Sequence, residues 1–260
     1  MRCVPFRITT EFRPCFHLLS SCGSRASSPR LVYSTMVSAK IADGMGFPAL
    51  YMTGFGVVAS HLGLPEAGLA TYSDMVGRVR QIAEGTGTPL IADGDTGYGG
   101  LLNVEHTVRG YEAAGAQAIQ LEDQEFPKKC GHTRDRRVIP IAEAAKKIRV
   151  AVAARSSRDF LIVARTDART AHGLDDALRR GEAYANAGAD LLFIESPESI
   201  EEMERIARNF DVPLVANMVE GGRSPCSRGT NWNGSDSRWL FFLRQGCSPP
   251  LLRCAPFIAT

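Results

Sequence analysis

Between residues 36 and 225 the chain has one cysteine, Cys130. The other six lie towards the ends, at Cys3, Cys15, Cys22, Cys226, Cys247 and Cys254. One thiol across that span excludes a disulfide framework and fits a reducing compartment. Long apolar runs are also missing, and no stretch approaches the roughly 18 apolar residues of a membrane span. A net positive charge is missing from the middle. The whole chain carries +2, but residues 1–35 set five arginines against Glu11 and residues 226–260 set four against Asp236, leaving −5 for residues 36–225. An acidic body without a basic stripe excludes the electrostatic footprint of a nucleic-acid binder. What remains is an ordinary globular composition, 260 residues with 44% hydrophobic and 22% charged, enough for one α/β barrel or two modest domains.

The two ends differ from this body. Residues 1–30 are rich in Arg and Ser and poor in acids, a composition shared with mitochondrial transit peptides. Pro5, Pro14 and Pro29 oppose a continuous helix there. Residues 226–260 show no period beyond the apolar run Trp239 to Leu243, and Pro249-Pro250 interrupt them. The expected organisation is an atypical leader over 1–30, a catalytic α/β domain over 31–225 and a disordered tail over 226–260. The expected location is cytoplasmic, with the mitochondrial matrix as the alternative.

In the body, short apolar strands alternate with longer helices. The strands are Ala49–Met52, Pro89–Ala92, Ala118–Leu121, Phe160–Ala164, Leu191–Ile194 and Pro213–Ala216, with Leu31-Val32-Tyr33 as a candidate seventh. Helical patterns run over Met36–Met45, Tyr72–Glu84, Val104–Ala114, Ile141–Ala154, Asp175–Ala187 and Glu201–Asn209. Such alternation is the pattern of a parallel sheet covered by helices. Asn103 is the expected cap of the helix it precedes. The expected fold is a (β/α)8 TIM-type barrel, incomplete at the N-terminal strand and at the C-terminal strand and helices, because a closed barrel needs eight strands.

The strands end in polar residues: Thr53, then Asp93 and Asp95, Glu122, Arg165, Glu195 and Asn217. In a parallel barrel these ends meet at one mouth, where active sites sit. One acid after a strand is an ordinary helix cap, but several acids facing one mouth repel each other and call for a cation. Asp93, Asp95 and Glu122 are oxygen donors with no histidine among them, a set that suits Mg²⁺ or Mn²⁺ rather than zinc. Arg165 offers a planar fork for a substrate carboxylate. Cys130 comes after Lys128 and Lys129 and precedes His132; cationic neighbours lower a thiol pKa, while a thiol that merely packs the loop is the structural alternative.

The segments YMTGFGVVASHLGLPEAG, ADGDTGYGG, LEDQEFPKKCGH, ARTDA, ESPES and ANMVEGG occur in this order over about residues 36–225. Together they resemble the isocitrate lyase and phosphoenolpyruvate mutase superfamily, on its 2-methylisocitrate lyase and dimethylmalate lyase branch. The resemblance implies a Mg²⁺ site held, directly or through water, by Asp93, Asp95 and Glu122, with Glu66 in the same shell where the family has Asp. It implies that Thr53, Gly54 and Phe55 receive a substrate carboxylate beside Tyr51. It places Gly131, His132, Arg165, Glu195 and Asn217 among the substrate-binding or orienting positions, and matches Cys130 to the acid of the lyases. The implied activity is carbon–carbon cleavage of a small 2-hydroxy di- or tricarboxylic acid. The alternatives are oxaloacetate hydrolysis or decarboxylation, and an inactive truncated relative. A family-like homotetramer is implied where the C-terminal helices are intact. The family's Pro-Gly turn after its first strand is absent from Leu31-Val32-Tyr33-Ser34-Thr35, and the likeness stops after Gly222-Arg223-Ser224-Pro225.

Overall fold

A computed structural model describes residues 30–131, 133, 135–219, 224 and 239–244. Residues 1–29 of the expected leader over 1–30, His132, and the tail outside 239–244 lie outside the described residues, while Arg30 belongs to the first strand. In chain order the elements are β1 (Arg30–Tyr33), α1 (Met36–Gly44), β2 (Leu50–Met52), α2 (Gly54–Leu62), α3 (Tyr72–Gly85) and β3 (Leu90–Asp93). Then come α4 (Leu101–Ala113), β4 (Ala118–Glu122), α5 (Ile141–Ala154), β5 (Leu161–Thr166), α6 (Ala168–His172) and α7 (Leu174–Asn186). The last are β6 (Leu191–Ile194), α8 (Ile200–Asn209), β7 (Leu214–Val219) and β8 (Trp239–Arg244).

The strands pair in parallel and in chain order around a closed sheet. The α/β barrel expectation holds, and its incompleteness is corrected for the strands. Arg30–Tyr33 is a true first strand. The apolar run at 239–244, expected to belong to a disordered tail, fills the eighth position. It runs beside β7 from Leu214↔Trp239 to Val219↔Arg244 and meets β1 at Arg30↔Phe242 and Leu31↔Leu243. The physical reason is that β7 and β1 would otherwise expose unpaired backbone groups along two edges. Among the described residues no helix comes after β7 or β8. No described helix is long and apolar enough to cross a membrane.

Local signals explain the helices. Thr71 and Asp74 form a reciprocal capping box at the start of α3, and Met75, Val79 and Ile82 put its apolar face on the sheet. Asn103 lies inside the first turn of α4 rather than ahead of it, and accepts from Gly100 N at 3.0 Å. Alternation along the strands divides the core in two. Leu50, Met52, Leu90, Ala92, Ile119, Leu121, Ile162, Ala164, Leu192 and Ile194 face the helices. Ala49, Tyr51, Ile91, Ala118, Leu161, Val163, Leu191, Phe193 and Val215 fill the barrel. Two residues beyond an inward residue is another inward position. The same parity therefore turns Asp93, Glu122, Arg165, Glu195 and Asn217 inward as the strands reach their C-terminal ends.

Candidate active site

One cavity of about 540 Å³, its open mouth included, lies among these strand ends. It is lined by Tyr51, Thr53, Phe55, Glu66, Asp93, Glu122, Lys128, Cys130, Gly131, Arg165, Phe193, Glu195 and Asn217. The sequence expectations thus meet in one place. Asp95 and Gly54 lie just behind the wall: Gly54 N donates to Asp93 Oδ2 at 3.1 Å, and Asp95 N donates to Asp93 Oδ1 at 3.0 Å. His132 lies outside the described residues.

The acids are drawn together by close backbone approach. Gly54 opens α2 so near them that a Cβ there would stand 2.7 Å from Glu66 Oε1 and 2.8 Å from Asp93 Oδ2. Asp95 adopts φ +51°, a left-handed conformation uncommon outside glycine but accessible to Asp. Glu66, Asp93 and Asp95 each present an oxygen within 4.8 Å of the others, all buried. Buried oxygen-only donors at this spacing fit a hard divalent cation such as Mg²⁺. Glu66, expected in the same shell, reaches the cluster. Glu122 stands outside this trio. Its Oε1 is buried without a hydrogen bond, 3.9 Å from the Lys128 ammonium, and its Oε2 lies 3.5 Å from Arg165 Nε.

Lys128 is the residue that sequence reasoning misplaced. Its ammonium is buried within the acids, 2.5 Å from Glu66 Oε1 and paired with Asp95. A metal ion and Lys128 therefore draw on the same oxygens. Lys129 Nζ instead donates to the Asp135 carbonyl at 3.1 Å. Burial pulls the Lys128 ammonium down, but Glu122, Asp95, Glu66 and Asp93 together outweigh it and hold it well above the usual lysine range. Burial pushes the Asp95 carboxyl up to about 7, with Lys128 opposing and Asp93 and Glu66 adding. Burial also raises the Glu122 carboxyl well above its ordinary range, against Lys128 and Arg165.

Arg165 departs from its expected use. Its Nε and Nη2 form a bidentate pair with Asp167, at 2.9 and 2.8 Å. Its Nη1 stands 3.2 Å from Glu195 Oε2, and the guanidinium lies 5.0 Å from the centre of the Phe193 ring. The Nε–Nη2 side of the planar fork is thus engaged by Asp167, and Nη1 is the side that stands beside Glu195. Asp167 also pairs with Arg136, and the two arginines hold its carboxyl below the usual range against the opposing effect of burial. Tyr51 donates to Gln120 Oε1 at 2.5 Å, and Gln120 Nε2 reaches Asp93 Oδ1 at 3.4 Å. Gln120 and Phe193 were legible as site residues, because each stands two places before a strand-end residue already singled out. Asp167, two places after Arg165 in the ARTDA segment, carries the same signal, whereas Arg136 carries none.

This chain matches the phosphoenolpyruvate phosphomutase family over residues 33–228. It is 54% identical to 2,3-dimethylmalate lyase of Eubacterium barkeri over 189 residues, 73% of this chain and 65% of that protein. It is 47% identical to 2-methylisocitrate lyase of Aeropyrum pernix over 194 residues, 75% of this chain and 62% of that one. The chain therefore spans a little under two thirds of the length of these curated relatives. Among solved structures, oxaloacetate acetylhydrolase in complex with 3,3-difluorooxalacetate superposes with a TM-score of 0.82 at 33% identity, covering 88% of this chain and 79% of that one. With a barrel whose strand ends gather these acids, Arg165 and Cys130 around one cavity, and with a match across most of its length, the chain belongs to the phosphoenolpyruvate phosphomutase family.

Proposed function

We propose that this protein is a Mg²⁺-dependent carbon–carbon lyase that cleaves a small 2-hydroxy di- or tricarboxylic acid, of alkylmalate or 2-methylisocitrate type, to a 2-oxo acid and a carboxylic acid. The observation that carries this reading is the shared cavity: an oxygen-donor cluster, an arginine edge and a thiol-bearing residue all border it. Glu66, Asp93 and Asp95 would hold the ion, which when bound supplies positive charge for the carboxylate and hydroxyl oxygens of the substrate. Arg165 Nη1, kept in place by Asp167, meets a second acidic oxygen. A strand-end carboxylate takes the hydroxyl proton, and Glu122, which borders the cavity, is the residue assigned to this. As that proton leaves, the C–O bond becomes a carbonyl and the neighbouring C–C bond breaks. Its electron pair passes to the carbon beside the other carboxylate. The Cys130 thiol delivers a proton to that carbon and remains as thiolate. Thr53, Phe55 and Asn217 complete the wall that orients the substrate.

The test is a panel of alkylmalates, 2-methylisocitrate and oxaloacetate with Mg²⁺, monitored by 2-oxo acid release. Cleavage of an alkylmalate or of methylisocitrate is the expected result, and turnover of a phosphonate substrate alone would refute the lyase reading. Oxaloacetate hydrolysis is the second reading, favoured by the superposition on oxaloacetate acetylhydrolase. It is recognised in the same panel by oxalate and acetate in place of a new 2-oxo acid.

Asp95 makes metal binding depend on pH. Its carboxyl, pushed up to about 7 by burial, is protonated below that pH and ionised above it. An ion has to displace that proton, so Mg²⁺ affinity falls as pH drops. Between pH 8 and pH 6 the apparent dissociation constant is expected to rise about tenfold, with about half a proton released per ion bound at neutrality and nearly one at pH 6. Calorimetry in buffers of different ionisation enthalpy measures both, and an affinity flat across that range would contradict the expectation.

A further inference from the structure

The stretch between β4 and α5 carries Cys130 and has almost no regular structure of its own. Its base is one antiparallel bridge, Gln124 to Val138, with Glu125 N donating to the Arg137 carbonyl at 2.8 Å and Ile139 N to the Asp123 carbonyl at 2.9 Å. Beyond that base, Thr133 N donates to the Cys130 carbonyl at 2.8 Å in a local turn, and the ties to the rest of the barrel are made by side chains. The carboxamide of Gln124, 2% exposed, pairs with both backbone groups of Lys129. Gln124 Nε2 donates to the Lys129 carbonyl at 2.9 Å, and Gln124 Oε1 accepts from Lys129 N at 3.0 Å. A primary amide bonded in both senses to one residue stands in for a neighbouring strand, fixing distance and rotation together. The residue it grips is the one before Cys130. On the outgoing limb, the buried Arg136 pairs with Asp167 and donates to Thr170 Oγ1 at 2.6 Å. Because Asp167 also holds Arg165, that limb is registered to the arginine at the cavity wall.

We propose that Gln124 is the positioning residue of Cys130, its carboxamide clasping the Lys129 backbone so that the thiol is held in the cavity wall. This rests on the reading of Cys130 as the proton donor. Gln124 acts through Cys130: its side-chain hydrogen bonds go to the Lys129 backbone and not to the Glu66, Asp93 or Asp95 carboxylates.

The experiment uses the full chain with saturating Mg²⁺ and compares the parent with Gln124→Met and Gln124→Glu. Met removes both hydrogen bonds at similar volume. Glu is isosteric, keeps the acceptor for Lys129 N–H and loses the donor to the Lys129 carbonyl. Three quantities are read: iodoacetamide labelling of Cys130, tracked by mass on its own peptide; native tryptic cleavage after Lys128 and Lys129; and kcat and KM for the panel substrate that turns over. With Gln124→Met, labelling and cleavage should each rise about fivefold or more, as expected of a local opening freed of its ties. Its kcat should fall about 10–100-fold with KM within about twofold. Gln124→Glu should fall between that variant and the parent, and thermal melting shows that each is folded. Labelling and cleavage within about twofold of the parent in the folded variants would overturn the clasp, given that loosening of this kind is what the two bonds prevent. Faster labelling with unchanged turnover would instead overturn the acid reading of Cys130, and the positioning proposal with it.

Discussion

Cys130→Ser is expected to lower kcat by about 10²–10⁴-fold, the usual worth of a positioned general acid, while KM and Mg²⁺ affinity stay close to those of the parent. Cys130 borders the cavity with Arg165, Glu195 and Gly131 but stands apart from the Glu66, Asp93 and Asp95 trio. Substitution there leaves the metal ligands and the arginine edge in place. Serine is nearly the size of cysteine but a far weaker acid, so it fills the same wall without delivering the proton. The interaction lost is one made as charge develops on carbon, which is why the effect belongs in kcat. The expected source of thiol activation needs revision, because the Lys128 ammonium is directed to the acids and that of Lys129 to the Asp135 carbonyl. Steady-state kinetics on the folded variant decide the matter. A rate within about threefold of the parent would be far below the usual effect of removing such an acid, and would move the assignment to hydrolysis or decarboxylation.

Chelation of divalent ions is expected to abolish turnover, and Mg²⁺ to restore it. In parallel, Asp95→Asn should weaken Mg²⁺ binding by at least about 100-fold, since even outer-sphere partners of a metal cost 10–100-fold when lost. The basis is the crowding of carboxyl groups: Glu66, Asp93 and Asp95 lie together with the single ammonium of Lys128 among them. An ion must take oxygens that Lys128 already uses, so the measured affinity is net of that competition. Asn keeps the shape of Asp95 but removes its charge, and with it both the attraction for the ion and the pairing with Lys128. Titration calorimetry with Mg²⁺ and the activity of demetallated protein provide the measurement. Full turnover in thoroughly stripped enzyme would refute the metal requirement.

Much of this site was legible in the linear chain, and the reason is local. A strand alternates its side chains every residue, so a buried strand read as Phe160–Ala164 already sends Arg165 to a defined face at a defined end. The same logic places Asp93, Glu122, Glu195 and Asn217. Capping at Thr71 and the spacing of Met75, Val79 and Ile82 are equally short-range. Helix α2, Gly54–Leu62, was missed because GFGVVASHL is apolar nearly throughout and has no polar face to mark a period. Asn103 was misread by one turn, since a side chain that reaches back to Gly100 N from inside the helix looks, in sequence, like one standing before it.

The rest was decided by partners far away in the chain. From its sequence alone this protein was an α/β barrel with acids, an arginine and a thiol gathered at one mouth, because alternation, capping and the motif order are properties of neighbouring residues. Only the tertiary structure made Trp239–Arg244 the eighth strand, because an apolar run becomes a strand when two open edges, β7 and β1, present unpaired backbone groups to it. Only the fold put the Lys128 ammonium against Glu66, 62 positions earlier, and gave the Arg165 fork to an Asp167 that Arg136, 31 positions before it, also grips. A charge in a buried site turns to whichever opposite charges the chain brings within a few ångströms, and that is a fact of three dimensions.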